Sequence, residues 1–363
     1  MDPARVLQFV LGNHGTHWRD LEHLDESVIE REPGRFVGGR NSWIAQTYLR
    51  LRAPLVARGW TVGVGDRFVP GAVAVVHRDD ANDFAGAGHS SFLVVIRADR
   101  APVAACDVAI AQNCIGLAPH ERFMPLWPQP GLRPRDPARG TTIRRIAYHG
   151  RIGTAPDWFF DPGLRRALGQ RGIEFRIERS RWEDYREVDV SIAAREETGA
   201  ILATKPATKI YNGWLARVPV LATAEPAYRE IRRSAIDFIE IAAAGDVLRA
   251  IDLLRANPRL FEAMVGNGAR RGEEFSVEAT RRRWLDLLEE EVAPAFDRAR
   301  ARLASRRLWH WRAMAAQKAL SRAYRVRAAY ERWADALQVL PARRWREPPS
   351  GQRAADHLAD VAR

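Results

Sequence analysis

Two cysteines, Cys106 and Cys114, are all that 363 residues contain, and neither joins a CxxC pair or a Cys/His cluster. That excludes a disulfide framework, argues against structural zinc and suits a reducing compartment. Both are expected to be small core residues. No stretch reaches the apolar length needed to cross a bilayer. The apolar part of the opening MDPARVLQFVLGNHG is too short for a secretory leader, so the expected location is cytoplasmic. Acidic side chains are also scarce, but only locally. Between positions 298 and 333, ten arginines and Lys318 stand against Glu331 alone, a surplus of +10 in a chain of net charge +12. The remainder is nearly balanced, so the basic character describes a tail and not a surface made for nucleic acid.

What is present is enough length, with 46% hydrophobic residues, for two α/β domains. Short β-rich runs recur, each closing on polar residues: 6–11, then WTVGVGDRF, GAVAVVHRDD, SFLVVIRADR and CDVAIAQNC. Apolar strands with polar carboxyl ends predict a parallel sheet, with ligands beyond those ends. Before the second run, WIAQTYLRLRAPLVARG has helical spacing at Trp43, Ile44, Thr47, Leu51 and Leu55. Ser42 can cap it, and Pro54 predicts a kink or an end. Residues 124–141, rich in Pro and Gly, read as a linker region. The rhythm then restarts with TIRRIAYHGRIG, EFRIERS, VDVSIAARE, a short strand at 218–220 and DFIEIA. Helices are expected at 162–172, 244–256, 259–274 and 277–291, and one long helix beyond Pro294. The expected division is a Rossmann-like domain over 1–130, a linker over 131–141 and a second Rossmann-like domain over 142–292. A basic helical tail over 293–345 and a disordered end over 346–363 complete it.

The stretch richest in polar handles is 205–228, KPATKIYNGWLARVPVLATAEPAY. It places two lysines at a helix start, a short apolar strand, and then an acid. Arg151 after IAYHG, Arg195 after VSIAA, Lys205 and Lys209 put cations at strand and helix ends, where an anion would sit. A lysine at a helix start opposes the helix dipole unless an anion is present. Departure of an activated sugar develops negative charge on a diphosphate, which such groups stabilise without a metal. Glu225 and Asn212 are residue types that hold ribose or sugar hydroxyls. Tyr211 or Tyr228 can stack a base, although Tyr211 and Trp214 are as readily core. In the first half His77, Arg78, Asp79, Asp80, Arg97, Asp99, Arg100, Gln112 and Asn113 stand at strand ends. His77, Asp79 and Asp80 are the first candidates for a catalytic base, followed by His14, His17 and Asp99. A turn or helix cap is the plain alternative for Asp79-Asp80. No third ligand is spaced to make a metal site of that pair.

The 205–228 stretch, followed by IDFIEIAAAGDVLRAIDLLRANPRLFEAM, resembles the donor-binding half of GT-B glycosyltransferases, bacterial family-1-like enzymes among them. It is most similar to the fucosyltransferase-type pattern, in which a Thr-Glu-Lys run precedes a helix, an apolar-Pro-Val strand and a ribose-side acid. Thr208 and Lys209 match that run and its Glu is absent. The resemblance covers roughly residues 143–290. It implies two Rossmann-like domains facing a cleft, here with a long basic C-terminal helix added. It further implies that Lys209 and Asn212 contact a nucleotide sugar. Asn212 stands where retaining families carry a Glu, which points to inversion. The implied activity moves a sugar from a nucleotide-diphospho-sugar to a glycan or lipid-linked acceptor, as in polysaccharide biosynthesis. Neither a cofactor nor a metal is required. The donor set would be Arg151, Arg195, Lys205, Thr208, Lys209, Tyr211, Asn212, Glu225 and Tyr228. One rival is a nucleotide-sugar epimerase, which needs several acids near the sugar where this chain offers Glu196, Glu197 and Glu225. Another is a scaffold that acts through its basic helix.

In the tail, Ala301, Ala304, Leu308, Trp311, Ala315, Ala319, Val326, Tyr330, Trp333 and Leu337 fall on one helical stripe. Arginines cover much of the rest. Such a helix packs back across the domains, lies on an anionic membrane through 298–337, or binds nucleic acid. Arginine on nearly every turn with interleaved Trp favours membrane or partner contact, an anionic inner membrane face being one expectation, and no nucleic-acid module accompanies it.

Overall fold

The computed structural model describes residues 5–81 and 90–337. The chain forms two compact units. One runs to Gly131 and is taken up again over Val277–Arg327, and the other covers Leu132–Ser276 and takes in the chain from Ala328.

The first unit is built on six parallel strands: β1 Val6–Val10, β2 Thr61–Gly65, β3 Val73–His77, β4 Phe92–Ile96, β5 Val108–Ala111 and β6 Glu121–Phe123. Their order is β2-β1-β3-β4-β5-β6. Every residue of β3, β4 and β5 is buried, which is why these runs are apolar throughout and do not alternate. Helix α1, Gln46–Val56, carries Pro54 in its last turn and ends two residues beyond it. Proline has no N–H for the carbonyl four residues back. That carbonyl, of Arg50, accepts instead from Arg281 Nε at 3.3 Å.

Arg281 lies on α7, Val277–Asp286, which leads through a π-helical turn to α8, Ala293–Ala299. Trp284, Leu288, Val292 and Phe296 on these segments are fully buried in the first unit's core, with Leu7, Phe9 and Trp43. Phe296 meets Phe92 of β4 edge-on at 6.1 Å. This is why the chain from Val277 belongs with the first sheet, where the sequence reading places 277–292 in the second domain. The expected single helix beyond Pro294 is interrupted: a 3₁₀ segment, Arg300–Ser305, separates α8 from the long α9, Arg307–Leu337. The rest of the expected tail, 338–345, and the end at 346–363 lie outside the described residues.

The second unit has five parallel strands: β7 Arg145–His149, β8 Glu174–Glu178, β9 Val190–Ala193, β10 Val220–Ala222 and β11 Ile239–Glu240. Their order is β11-β10-β9-β7-β8. The helices we number α2 Pro162–Gln170, α3 Thr208–Leu215, α4 Pro226–Ile231, α5 Ala244–Ala256 and α6 Pro258–Glu273 belong to it. Helix α2 starts where Asp161 accepts from Gly163 N, with Pro162 at the first helical position. Helix α3 is held tightly on two sides. A Cβ at Gly213 would lie 2.6 Å from Val220 of β10, and Cβ atoms at Gly268 and Gly272 of α6 would lie 3.0 Å from Trp214 and 3.2 Å from Leu215. The first approach leaves no room for a Cβ unless something shifts, and the other two are tighter than ordinary contacts, so glycine lets α3, which carries Lys209, lie close to β10 and α6.

The expected linker is structural. Met124 and Trp127 are buried in the first unit, and the chain from Leu132 is bound into the second. Arg133 N donates to Glu183 O at 2.8 Å, and Arg135 N to Ala216 O at 2.9 Å. The fully buried Asp189 carboxylate takes Arg135 at 2.9 Å, Arg139 at 2.7 Å, and the backbone N–H groups of Arg144 at 2.8 Å and Arg145 at 2.9 Å. Burial alone would raise its pKa. The donors outweigh that and hold it below the ordinary carboxylate range. Asp189→Ala leaves two arginines and two N–H groups without their acceptor. It is expected to cost about 3–5 kcal/mol, read as a lower urea midpoint, and an unchanged midpoint would refute the anchoring role.

Candidate functional site

Both sheets reverse their strand order next to their first strand. Such switch points leave a crevice beyond the carboxyl ends of the flanking strands. In the second sheet the flanking strands are β7 and β9. They end at His149-Gly150-Arg151 and at Ala194-Arg195, and the first turn of α3 brings Lys209 to the same place.

The Lys209 ammonium donates to the His149 carbonyl and lies 4.1 Å from the centroid of the Tyr148 ring. Arg195 is paired with Glu225 and donates to Pro206 O at 3.2 Å. Its guanidinium stands over the Tyr228 ring at 5.4 Å. Thr223 donates to the other Glu225 oxygen at 3.3 Å. The Tyr148 hydroxyl lies 3.4 Å from that of Thr154. Glu225 and Tyr228 are essentially inaccessible, at 1% and 0% exposure. The group therefore holds two cations and one carboxylate in poorly hydrated surroundings. Burial, and then the charge of Arg195, push Lys209 down to about 7 against the pull of Glu225. Burial raises Glu225, and Arg195 and Lys209 oppose that rise. Burial works against the charge on Arg195, but Glu225 outweighs it and the pKa rises. When Lys209 is protonated the group carries one more positive than negative charge, and the N-terminal end of α3 adds to that field.

Of the residues singled out in the sequence, Arg195, Lys209, Glu225 and Tyr228 come together. Thr208 and Lys205 are half-buried around the same helix start, and Arg151 is exposed on the turn after β7. Asn212 is buried one turn along α3 from Lys209. Tyr211 is not placed to stack a base: it is buried and lies parallel to Phe275 at 4.8 Å, so its face belongs to the core. Tyr148, Gly150 and Thr154 are participants that sequence reasoning passed over. A Cβ at Gly150 would overlap the Lys209 ammonium and lie 2.7 Å from the Tyr148 hydroxyl. Two signals pointed here. A glycine follows β7 directly, and Lys205 and Lys209 are two of only three lysines among 57 basic residues.

In the first unit the switch point lies between β1 and β3, which end at Gly12 and His77. His77, Asp79 and Asp80 gather there, and each is engaged. His77 is buried, and its Nδ1 accepts from Asp79 N at 3.1 Å, which places the ring proton on Nε2. Burial, its largest perturbation, lowers its pKa, so the ring is neutral near pH 7. Arg100 clamps Asp79 at 2.7 and 2.8 Å and depresses its pKa. Asp80 pairs with Arg40 at 2.7 Å and accepts from Gly12 N at 3.2 Å. Cβ atoms at Gly12 and Gly39 would collide with Asp80 and His77, the second at 2.8 Å. Two loops thus close down on this cluster. Asp99 joins the cluster through Arg100, which it meets at 2.8 Å, whereas His14 and His17 have no described bond to it. Among the described residues no group of three or more His, Cys, Asp or Glu converges as a metal site.

No family model matches the chain, and no curated protein matches its sequence. Solved structures do match its fold. Sucrose-phosphate synthase from Thermosynechococcus elongatus is similar over 80% of this chain and 100% of its own, at 12% identity and a TM-score of 0.50. AviGT4, a glycosyltransferase involved in avilamycin A biosynthesis, gives 0.48 at 13% identity over 78% and 96%. HepE of Anabaena, in complex with UDP and glucose, gives 0.47 at 12% identity over 79% and 100%. At 12% identity the likeness to sucrose-phosphate synthase bears on the fold alone, and with the two parallel sheets it makes the fold GT-B: two Rossmann-like units, as the resemblance of 205–228 implied.

An anion bound at Lys209 should return its pKa toward the ordinary lysine value. Between about pH 7 and that value, free Lys209 is neutral and bound Lys209 is charged, so binding takes up a proton. Calorimetry of pyrophosphate binding near pH 8, in buffers of different ionisation enthalpy, should show more proton uptake for the wild type than for Lys209→Arg. Equal uptake would contradict the assignment. Gly150→Ala should weaken the same binding by displacing the ammonium.

Proposed function

We propose that this protein is a glycosyltransferase that takes a sugar from a nucleotide-diphospho-sugar and passes it to a glycan or lipid-linked acceptor. The observation that carries the reading is the placement of Lys209 beside the paired Arg195 and Glu225 at the switch point of the second unit, within a GT-B fold. A diphosphate supplies an anion for that group. Lys209, the N–H groups that open α3, and Arg151 would hold the diphosphate as the glycosidic bond breaks, and Arg195 would contribute its field from behind Glu225. Fixed cations of this kind do the work of a metal ion, so the proposed reaction needs neither metal nor cofactor. Thr208 and Lys205 flank the phosphates, and Asn212 stands one turn deeper. Glu225 and Tyr228 support the site from beneath, and Glu225 reaches a ribose only if its pairing with Arg195 loosens.

The acceptor side is assigned to the first unit. Of the two carboxylates, Asp79 is the more exposed, with 33% of its side chain accessible against 6% for Asp80. Asp79 is therefore the proposed proton acceptor, with His77 and Asp80 as the residues that set its loop. Transfer with inversion needs one such base, and Asn212 supplies no second nucleophile. The place of work is proposed to be the cytoplasmic face of a membrane.

The test is binding of uridine and guanosine diphosphate, followed by transfer assays. Lys209→Ala should weaken binding about 10- to 100-fold, the loss expected for a hydrogen bond to a charged group. Asp79→Asn should leave that affinity intact and slow transfer by about 10²- to 10⁴-fold. If neither nucleotide binds, or Lys209→Ala changes nothing, the reading fails.

A further inference from the structure

Helix α9 is built the wrong way round for a helix that merely covers a domain. A surface helix normally buries its apolar stripe and turns polar residues outward. Here the side that meets protein is mixed, and hydrogen bonds do much of the holding. The Gln317 side-chain oxygen accepts from Ala104 N at 2.7 Å, and its amide donates to Pro102 O at 2.9 Å. Ser321 accepts from Arg78 at 3.3 Å, and Glu331 accepts from Ala200 N at 2.7 Å. Met314 and Ala328, with the half-buried Ala313 and Tyr324, are the apolar members of that side. The opposite side carries the large apolar residues in the open: Leu308 is 64% exposed, Trp311 75%, Val326 62%, Tyr330 54% and Trp333 56%. Leu308, Ala315, Ala319, Val326 and Trp333 follow one another at spacings of seven, four, seven and seven, a single line along the helix.

We infer that this outward line is a bilayer-contacting face, and that α9 lies flat in the headgroup layer of an anionic membrane. Charge identifies the occupant. Lys318, Arg325 and Arg332 run along one border of the line, and Arg327 stands on the other. Arg312 and Arg322 reach out beside the line itself, and all six are exposed. A helix lying in the interface needs cations on both borders, so that long stems cover the apolar edge while charged ends reach phosphate oxygens. Tryptophan and tyrosine toward the two ends of the line suit the same depth. No described helix is long and apolar enough to cross a membrane, so contact would be along a surface. This deepens the proposed use of a lipid-linked acceptor, and it rests on that reading only for the purpose of the contact. The face itself stands on exposure and charge.

The experiment is co-flotation of the full chain with phosphatidylcholine vesicles containing about one third phosphatidylserine, and with phosphatidylcholine alone. The wild type should bind the anionic vesicles and release them at high salt. The triple variant Trp311→Ser, Val326→Ser, Trp333→Ser touches none of the hydrogen bonds described between the helix and the body. It should keep the wild-type circular dichroism and urea midpoint while partitioning at least about tenfold less. Lys318→Glu with Arg325→Glu and Arg332→Glu should abolish the preference for anionic lipid. Indifference of the wild type to lipid charge would overturn the inference, as would wild-type binding by the folded triple variant. So would a wild-type dimer that the triple variant splits without change in vesicle binding, since a second copy would then cover the line. Vesicle binding without nucleotide binding would instead overturn the donor reading and leave this surface standing.

Discussion

A buried surplus of positive charge governs the second unit. Arg195, Lys209 and Glu225 share one poorly hydrated space, and two cations face one carboxylate. Partial loss of a proton relieves part of that imbalance, which is why burial and Arg195 bring Lys209 to about 7. A protein seeking only stability would place an apolar residue at 209, because the start of a helix already repels a cation. The surroundings instead work to keep the lysine where it is. Gly150 leaves room for its ammonium, the Tyr148 ring lies against it, and the glycines of α6 and α3 allow α3 to settle close to β10. Those features form a frame around the lysine, the frame that the proposed diphosphate would use.

Asp189 shows what the same physics does when the aim is structural. It too is fully buried, but two guanidinium groups and two backbone N–H groups meet its oxygens, and its pKa falls despite burial. Every group is answered from within the fold, and the segment from Leu132 is thereby bound to the second sheet. Burial does not separate the two carboxylates, since Glu225 is almost as inaccessible. The difference lies in which cations reach each carboxylate. Both arginines bond Asp189 directly, whereas Lys209 is described on the His149 carbonyl and the Tyr148 ring, and that contrast supports reading the first cluster as an anchor and the second as a candidate site.

Much of this architecture was legible because parallel strands buried on both faces have no choice but to be apolar. The runs at β3, β4 and β5 declared themselves, and their polar ends led to His77. β6 did not declare itself. It is a three-residue strand, ERF, whose Glu121 is buried only because Arg97 at 3.1 Å and Ala118 N at 2.9 Å satisfy it. The domain boundary was misleading for a related reason. A Pro- and Gly-rich segment resembles a linker whenever its hydrogen-bond partners are distant in sequence, and Asp189 lies more than forty residues from Arg145 and Arg139. The return of α7 and α8 to the first core depends on contacts such as Phe296 with Phe92, which local pattern does not carry. At the site, residue type and order singled out Lys209 and Arg195. The core position of Tyr211 and the roles of Tyr148 and Gly150 depend on which way a side chain points after packing.

The tail shows how far periodicity reaches. Spacings of three, four and seven establish that a helix has an apolar line, but they contain no information about which side of the molecule receives it. The usual assumption is that the line faces inward. In α9 the polar side is consumed by Gln317, Ser321 and Glu331, so the inward direction is already taken and the tryptophans are left outside. Water around an exposed line of Leu308, Trp311, Val326 and Trp333 is unfavourable in proportion to the apolar area, and a monomer that kept it in water would pay that cost continuously. Arginines placed along the line do not reduce the cost in water. They become useful where one medium offers both hydrocarbon for the rings and anionic oxygen for the guanidinium ends, and the interfacial layer of an anionic bilayer offers both.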